Sequence, residues 1–358
     1  MTGEGTLTAY CVTEKGTNYY ATRTPVQCDF STFEGTLKPS SSLDDANCLR
    51  FTLNTGSGMP KGTMDIAEKV EVQNSGKTYR IGKVTGKGAL GGSCTFSNGA
   101  SVGANTWQVG NDESSWSSTV KVTSNANFVK VGSCKVTWGG ASDNTGTTNI
   151  NEGELAINAT GQLGTGVLTV AEGATLSGAN SSKNVLLNSS VTINGTLRPG
   201  LFEGTTTGSL IFNNKNVTIN QSGVLVVTTK RGATDIINGC PCLEGISKMT
   251  LNGTVRIIVA DDHSLQPGDC IRLFKANSFA GTPRFDMQGG VTWDTSRISE
   301  GLLFVKSVPD AIASTRVSSQ NPADIYDTMG RLVRSRATTT AGLPAGVYMI
   351  RGKKVVVK

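Results

Sequence analysis

Histidine occurs once in the 358-residue chain, at His263; proline occurs ten times, and acids and bases together make up only 17%. No apolar run approaches the roughly 18 residues a membrane helix needs, so no membrane span is expected. No segment keeps a helical period. The eight cysteines, Cys11, Cys28, Cys48, Cys94, Cys134, Cys240, Cys242 and Cys270, lack the paired C-x-x-C spacing of a zinc site. They fit disulfides in an exported protein, or buried thiols packing as small hydrophobes. The stretch Gly82-Lys83-Val84-Thr85-Gly86-Lys87-Gly88 is one residue short between its glycines for a phosphate loop and lacks Ser or Thr after the lysine, which leaves a β-turn. The start, MTGEGTLTAY, has no charged segment followed by an apolar one. Because Gly3 to Thr8 already reads as the middle of a repeat, Met1 is expected to begin a fragment of a longer precursor with a signal peptide and further repeats.

Charge is scarce and unevenly placed. Residues 322–358 hold seven basic groups against Asp324 and Asp327, a net +5 of the chain's +6, so the body is close to neutral. A basic groove along the body is therefore unsupported, and no nucleic-acid partner is expected.

What is abundant is glycine, at 44 residues, together with Thr, Ser, Asn and Val. Gly and Asn tolerate positive φ at bends, while Thr and Val suit a pleated surface. One unit recurs: an apolar-Thr-apolar triplet, a turn ending in Gly, then an apolar residue. It appears as Leu168-Thr169-Val170 to Gly173 and Leu176, Val191-Thr192-Ile193 to Gly195 and Leu197, Val217-Thr218-Ile219 to Gly223 and Leu225, and Met249-Thr250-Leu251 to Gly253 and Val255. The starts lie 23, 26 and 32 residues apart, in the period range of solenoid repeats. The expected fold is all-β, a solenoid of short stacked strands. Residues 1–127 continue the style irregularly, in Phe33–Leu37, Leu49–Leu53, Val70–Val72, Tyr79–Val84 and Trp107–Val109. Recognisable repeats span 128–255.

Within the stretch Phe128–Leu155, Lys130-Val131-Gly132, Val136-Thr137-Trp138-Gly139-Gly140, Asn144-Thr145-Gly146-Thr147-Thr148, Ile150 and Gly153-Glu154-Leu155 resemble the autotransporter-associated β-strand repeat. The sequence departs from that pattern in lacking the aromatic before Gly146 and in placing Cys134 where Gly is common. The resemblance implies a right-handed parallel β-helix in an exported surface protein, and it implies no reaction. Residues 256–308 carry stronger apolar strands and read as terminal coils and cap, covering an apolar end and open strand edges. Gly268-Asp269, Phe279-Ala280-Gly281, Trp293-Asp294 and Gly301 resemble the segment that follows such repeats.

Residues 309–321 are polar and without apolar period, as a linker is. The remaining 322–358 hold four short strands with Gly turns and read as a small β-sandwich-like module. Tyr326, Asp327, Gly330 and Arg331, then Leu343, Pro344, Gly346 and Tyr348, then Lys353, Lys354 and Lys358, resemble in residue and order the C-terminal sorting domain of the type IX secretion system of Bacteroidetes. That resemblance implies recognition by outer-membrane secretion machinery and an extracellular or outer-membrane location.

Parallel β-helices also host polysaccharide lyases and glycosidases, whose sites need paired carboxylates or acids beside a base. Asp261-Asp262-His263 is the most chemical-looking cluster, but its neighbours make it a solvated turn between strands. Asp44-Asp45 and Asp112-Glu113 sit in similar polar turns, and Asp294 with Arg297 reads as a surface ion pair beside Trp293. Cys240-Pro241-Cys242 with Cys270 and His263 is a poor tetrahedral set, because its two leading thiols are one residue apart. No cofactor and no catalytic residue is expected. The body's expected role is structural or adhesive, with glycan or surface-protein ligands on its lateral faces; a polysaccharide-active enzyme is the alternative.

Overall fold

The computed structural model describes residues 1–11, 23–41, 49–56, 58–92, 103–111, 113–178, 185–200, 209–229, 242–259, 265–287, 290–308, 322–351 and 353–357. The 309–321 stretch expected as a linker lies outside them. The protein is all-β: among the described residues the only helical turn is Ile298–Glu300, and no helix is long and apolar enough to cross a membrane.

Two long parallel sheets dominate, one of thirteen strands and one of eight. From Asn127 the chain alternates between them. Asn127–Lys130, Thr148–Ile150, Leu168–Val170, Val191–Ile193, Leu210–Ile219, Leu243–Leu251 and Phe274–Ala280 join the first; Lys135–Trp138, Glu154–Ile157, Thr175–Gly178, Thr196–Arg198, Val224–Thr229, Thr254–Val259 and Arg284–Met287 join the second. Before Asn127 the first sheet alternates mainly with a five-stranded parallel sheet that includes Leu49–Leu53 and Val70–Asn74. The arrangement is compatible with a parallel β-helix. Two smaller sheets are antiparallel: Cys270–Arg272 with Leu302–Ser307 and Thr292–Asp294, and the four strands Ala323–Asp327, Leu332–Ala337, Gly346–Ile350 and Lys353–Val357.

Register explains the repeated triplets. Leu168 pairs with Val191, Val191 with Val217 and Val217 with Met249, although 23, 26 and 32 residues separate them. The residues after each Gly turn align in the second sheet, Leu176 with Leu197, Leu197 with Leu225 and Leu225 with Val255. Strand alternation then sends the flanking apolar residues inward and the threonine outward, and a slip of one residue would reverse both. Every member of these inward columns is at most 2% exposed, and each contributes roughly 1.5–3 kcal/mol relative to exposure.

The inward columns form one hydrophobic core running from Phe30 to Val305. Its largest members are Trp107, whose Nε1 donates to Gly91 O at 2.9 Å, and Trp138, whose Nε1 donates to Ser142 Oγ at 3.1 Å. A second, small core comprises Ala323, Ile325, Ala337, Tyr348, Ile350 and Val355.

Candidate functional site

The stretch from Phe128 to Leu155 turns out to be held by its polar residues. Lys130 shares the inward face of Phe128 and stands in a column with Val109, Ile150 and Val170, with no exposed surface. Its ammonium donates to the carbonyls of Val131 at 3.0 Å, Gly132 at 2.6 Å and Glu152 at 3.1 Å. Three ammonium donors thus meet three acceptors, which makes burial of the charge tolerable. Glu152 closes the corner by accepting from Gly132 N at 2.7 Å. Gly132 has φ 77°, and a Cβ there would lie 2.4 Å from Asn111 O, so the position admits only glycine. At the next corner the buried Asn144 donates to Ala126 O at 3.0 Å, tying one circuit of the chain to the one before. These residues clamp backbone corners.

The carboxylate candidates separate in the same way. Asp261, Asp262 and His263 lie outside the described residues, as do Asp44, Asp45 and Asp112. Asp294 is exposed and accepts from Ser296 N at 2.9 Å, and that N–H holds its carboxyl below the usual range. Arg297 does not pair with Asp294: its Nε donates to Glu300 at 2.8 Å and its guanidinium sits 5.4 Å above the Phe304 ring. Cys242 is buried, and burial pushes its thiol up to about 11 even though Ser209 Oγ lies 3.5 Å away. Lys83, in the phosphate-loop-like stretch, belongs to strand Thr78–Gly86 and donates to Ser114 Oγ at 3.1 Å.

The first sheet's outward face is the largest regular feature left. Its centre is a register column of Asn149, Thr169, Thr192, Thr218 and Thr250, half-exposed along its length. Just past the ends of the last three triplets stand Asn194, Asn220 and Asn252, and Asn220 Nδ2 donates to Asn194 Oδ1 at 2.7 Å. Stacked strands repeat at about 4.8 Å, so the hydroxyls and amides form an uncharged ladder. Beside it strand Leu210–Ile219 bulges, with Asn213 and Asn214 at φ 29° and 58°. Asn213 donates to Asn188 at 2.8 Å, and Asn277 donates to Asn214 at 3.3 Å past the intervening strand Leu243–Leu251. The N-terminal part of the same face is charged instead, with Lys38–Asp65 at 3.7 Å and Lys61–Glu34 at 2.8 Å.

The tail residues singled out by sequence gather in three places. Asp327 accepts from the backbone N–H groups of Met329 at 2.9 Å and Arg331 at 3.0 Å and from Arg331 Nε at 2.7 Å, with Gly330 at φ 78° in the turn between. The Arg331 N–H and guanidinium hold the Asp327 carboxyl below the usual carboxylate range. Tyr326, beside it, is half-buried in strand Ala323–Asp327. Leu343 packs on the small core, Gly346 opens strand Gly346–Ile350, and Tyr348 buries its ring while its hydroxyl donates to Pro344 O at 2.9 Å. Lys353 and Lys354 lie on the edge strand opposite Ile350 and Met349. Lys358 is outside the described residues.

Sequence reasoning passed over the Asn188, Asn213, Asn214 and Asn277 group, whose one signal is the Asn213-Asn214 doublet, and the buried Glu71. Glu71 accepts from Arg50 Nε at 3.1 Å, Gln73 Nε2 at 2.6 Å and Thr123 Oγ1 at 3.3 Å, a hydrogen-bonded network against the five-stranded sheet. No family model matches the chain, and no curated protein matches it.

Proposed function

We propose that the chain is an exported surface protein whose body, a right-handed parallel β-helix of the autotransporter-associated repeat type, has a structural or adhesive role, and whose residues 322–358 are a type IX sorting module read by outer-membrane secretion machinery. The observation that carries the adhesive reading is the register-matched, uncharged ladder Thr169, Thr192, Thr218 and Thr250 with its flanking asparagines. A rigid row of hydroxyls and amides at a fixed spacing matches ligands that are themselves repetitive and rich in hydroxyl or amide groups, glycans above all. The sorting reading is supported by Tyr326, Asp327, Gly346, Tyr348, Lys353 and Lys354, which lie in one small antiparallel sheet.

The test is a screen of the full chain against neutral and acidic glycans and matrix proteins, repeated with Thr192→Lys/Thr218→Lys/Thr250→Lys. Ligand capture by the native chain, lost in the triple variant with its circular dichroism unchanged, is the expected result. Capture that survives the three lysines would remove the ladder from the reading. Release of soluble product from a polysaccharide panel, abolished by Asp261→Ala, Asp262→Ala or Asp294→Ala, would replace the adhesive role with an enzymatic one.

A further inference from the structure

The C-terminal sheet has apolar residues on both of its faces, and among the described residues only one face makes a core. Ile325, Tyr348, Ile350 and Val355 point to the buried side. Alternation sends Val347, Met349 and Val356 to the other side, and register sets Val347 opposite Val356 and Tyr326 opposite Met349. Leu332 pairs with Tyr326 at the neighbouring strand and extends the row. Val347 is 42% exposed, Val356 38% and Leu332 54%. Of nine large apolar residues that stand exposed among the described residues, five (Met329, Leu332, Val333, Val347 and Val356) lie in this last segment. The solvated face of an antiparallel sheet ordinarily alternates to polar residues, and a contiguous apolar one marks an interaction surface.

Charge selects the occupant. Residues 322–358 carry a net +5, and Lys354 stands on the same face, opposite Met349. Two copies of this module face to face would bring +5 against +5, whereas a partner with carboxylates around an apolar centre gains on both counts. The apolar side chains at the centre are Val347, Val356 and Met349 on a sheet, a shape that buries area against another flat protein surface; interfacial membrane anchors present larger apolar groups such as Trp, Phe and Leu along a helix.

We propose that this face, centred on Val347, Met349 and Val356 with Tyr326 and Leu332 beside them, is the docking surface of the module for an acidic, apolar-centred protein surface. The proposal rests on the reading of 322–358 as an export module and names the side of it that is read.

The experiment expresses the full chain in a bacterium that possesses a type IX secretion system and measures the fraction delivered outside the cell. Three variants are compared: deletion of 322–358, Val347→Thr/Val356→Thr, which keeps β-branched shape while removing apolar surface, and Lys354→Glu, which leaves the core untouched. Deletion should abolish delivery; deletion without effect overturns the export reading and this inference with it. With deletion effective, delivery of the double threonine variant should fall by about tenfold or more, as loss of two central apolar contacts implies. Lys354→Glu should lower delivery several-fold. Both variants delivered like the native chain would overturn the docking face while leaving the export reading intact. Should the threonine variant lose the protease resistance of its tail, Lys354→Glu decides alone. Two control outcomes also overturn the acidic-protein assignment: concentration-dependent dimers in sedimentation that the threonine pair abolishes, and binding to phosphatidylglycerol vesicles that the same pair abolishes.

Discussion

The long parallel sheets and the tail sheet bury apolar surface by opposite means. In the body every strand has a neighbour on its register, so one column of side chains, Leu168, Val191, Val217 and Met249, is covered from circuit to circuit and the core extends from Phe30 to Val305. In the tail, four strands cover six core residues and leave Leu332, Val347 and Val356 outside. A small unit has too much surface for its volume and depends on individual hydrogen bonds. The contrast teaches where single changes should be felt: through packing and buried polar corners in the body, through turns and exposed faces in the tail.

The sharpest way to break this contrast is Trp138→Ala. The indole is fully buried, lies 4.8 Å from the Phe128 ring at a tilt of 44° and donates to Ser142. Its loss should cost about 3–5 kcal/mol. Hydrogen exchange read by mass spectrometry should show protection falling in the strands Asn127–Lys130, Lys135–Trp138 and Glu154–Ile157, with the strands of 323–357 unchanged. An equal fall in the tail would mean that the two cores do not behave as separate units.

Lys130→Met tests the polar corners. Methionine preserves length and removes the donors to three carbonyls, those of Val131, Gly132 and Glu152. The expected loss is about 1–3 kcal/mol in urea unfolding, the cost of leaving buried acceptors unmet. Arg334→Met in the tail, which removes a guanidinium bonded to the exposed carbonyls of Thr339 and Ala341, should change stability by less than about 0.5 kcal/mol. Buried charges are at times replaced by apolar groups without loss, so an unchanged or raised stability in Lys130→Met would show that desolvation of the ammonium outweighs its three bonds.

Much of this was legible in the sequence, for a physical reason. Strand periodicity is two, so Val191-Thr192-Ile193 declares its inward and outward residues without knowledge of its neighbours, and equal triplets become register partners even when 32 residues of chain intervene. The strands at Leu49–Leu53 and Trp107–Val109 were readable on the same ground. What escaped are features created by stacking. Alternation from Phe128 already places Lys130 inward, but the carbonyl of Glu152 that completes its coordination belongs to the next circuit. The Asn214 to Asn277 bond spans two circuits, and the apolar outer face of the tail exists only once Val347 and Val356 are known to be opposite each other. The ion pair expected between Asp294 and Arg297 beside Trp293 gives way to one with Glu300, which the turn Ile298–Glu300 brings within 2.8 Å of Arg297 Nε.

The smallest effect is expected where the tail depends on a single half-buried carboxylate. Asp327 accepts two backbone N–H groups and the Arg331 guanidinium, and the Arg331 N–H is the leading cause that holds its carboxyl below the ordinary range. A depressed folded-state value means that folding favours the ionised form. The turn's contribution is therefore present above the ordinary aspartate range and is lost as pH falls below it. Amide chemical shifts of Met329 and Arg331, followed by NMR on the full chain, should titrate with a midpoint below the about 3.9 of a free aspartate. Asp327→Asn should abolish that titration while leaving the Thr192, Thr218 and Thr250 amides of the body unmoved. A midpoint at or above the free value would mean that the turn does not hold the carboxylate, and the tail would then owe its shape to its six core residues alone.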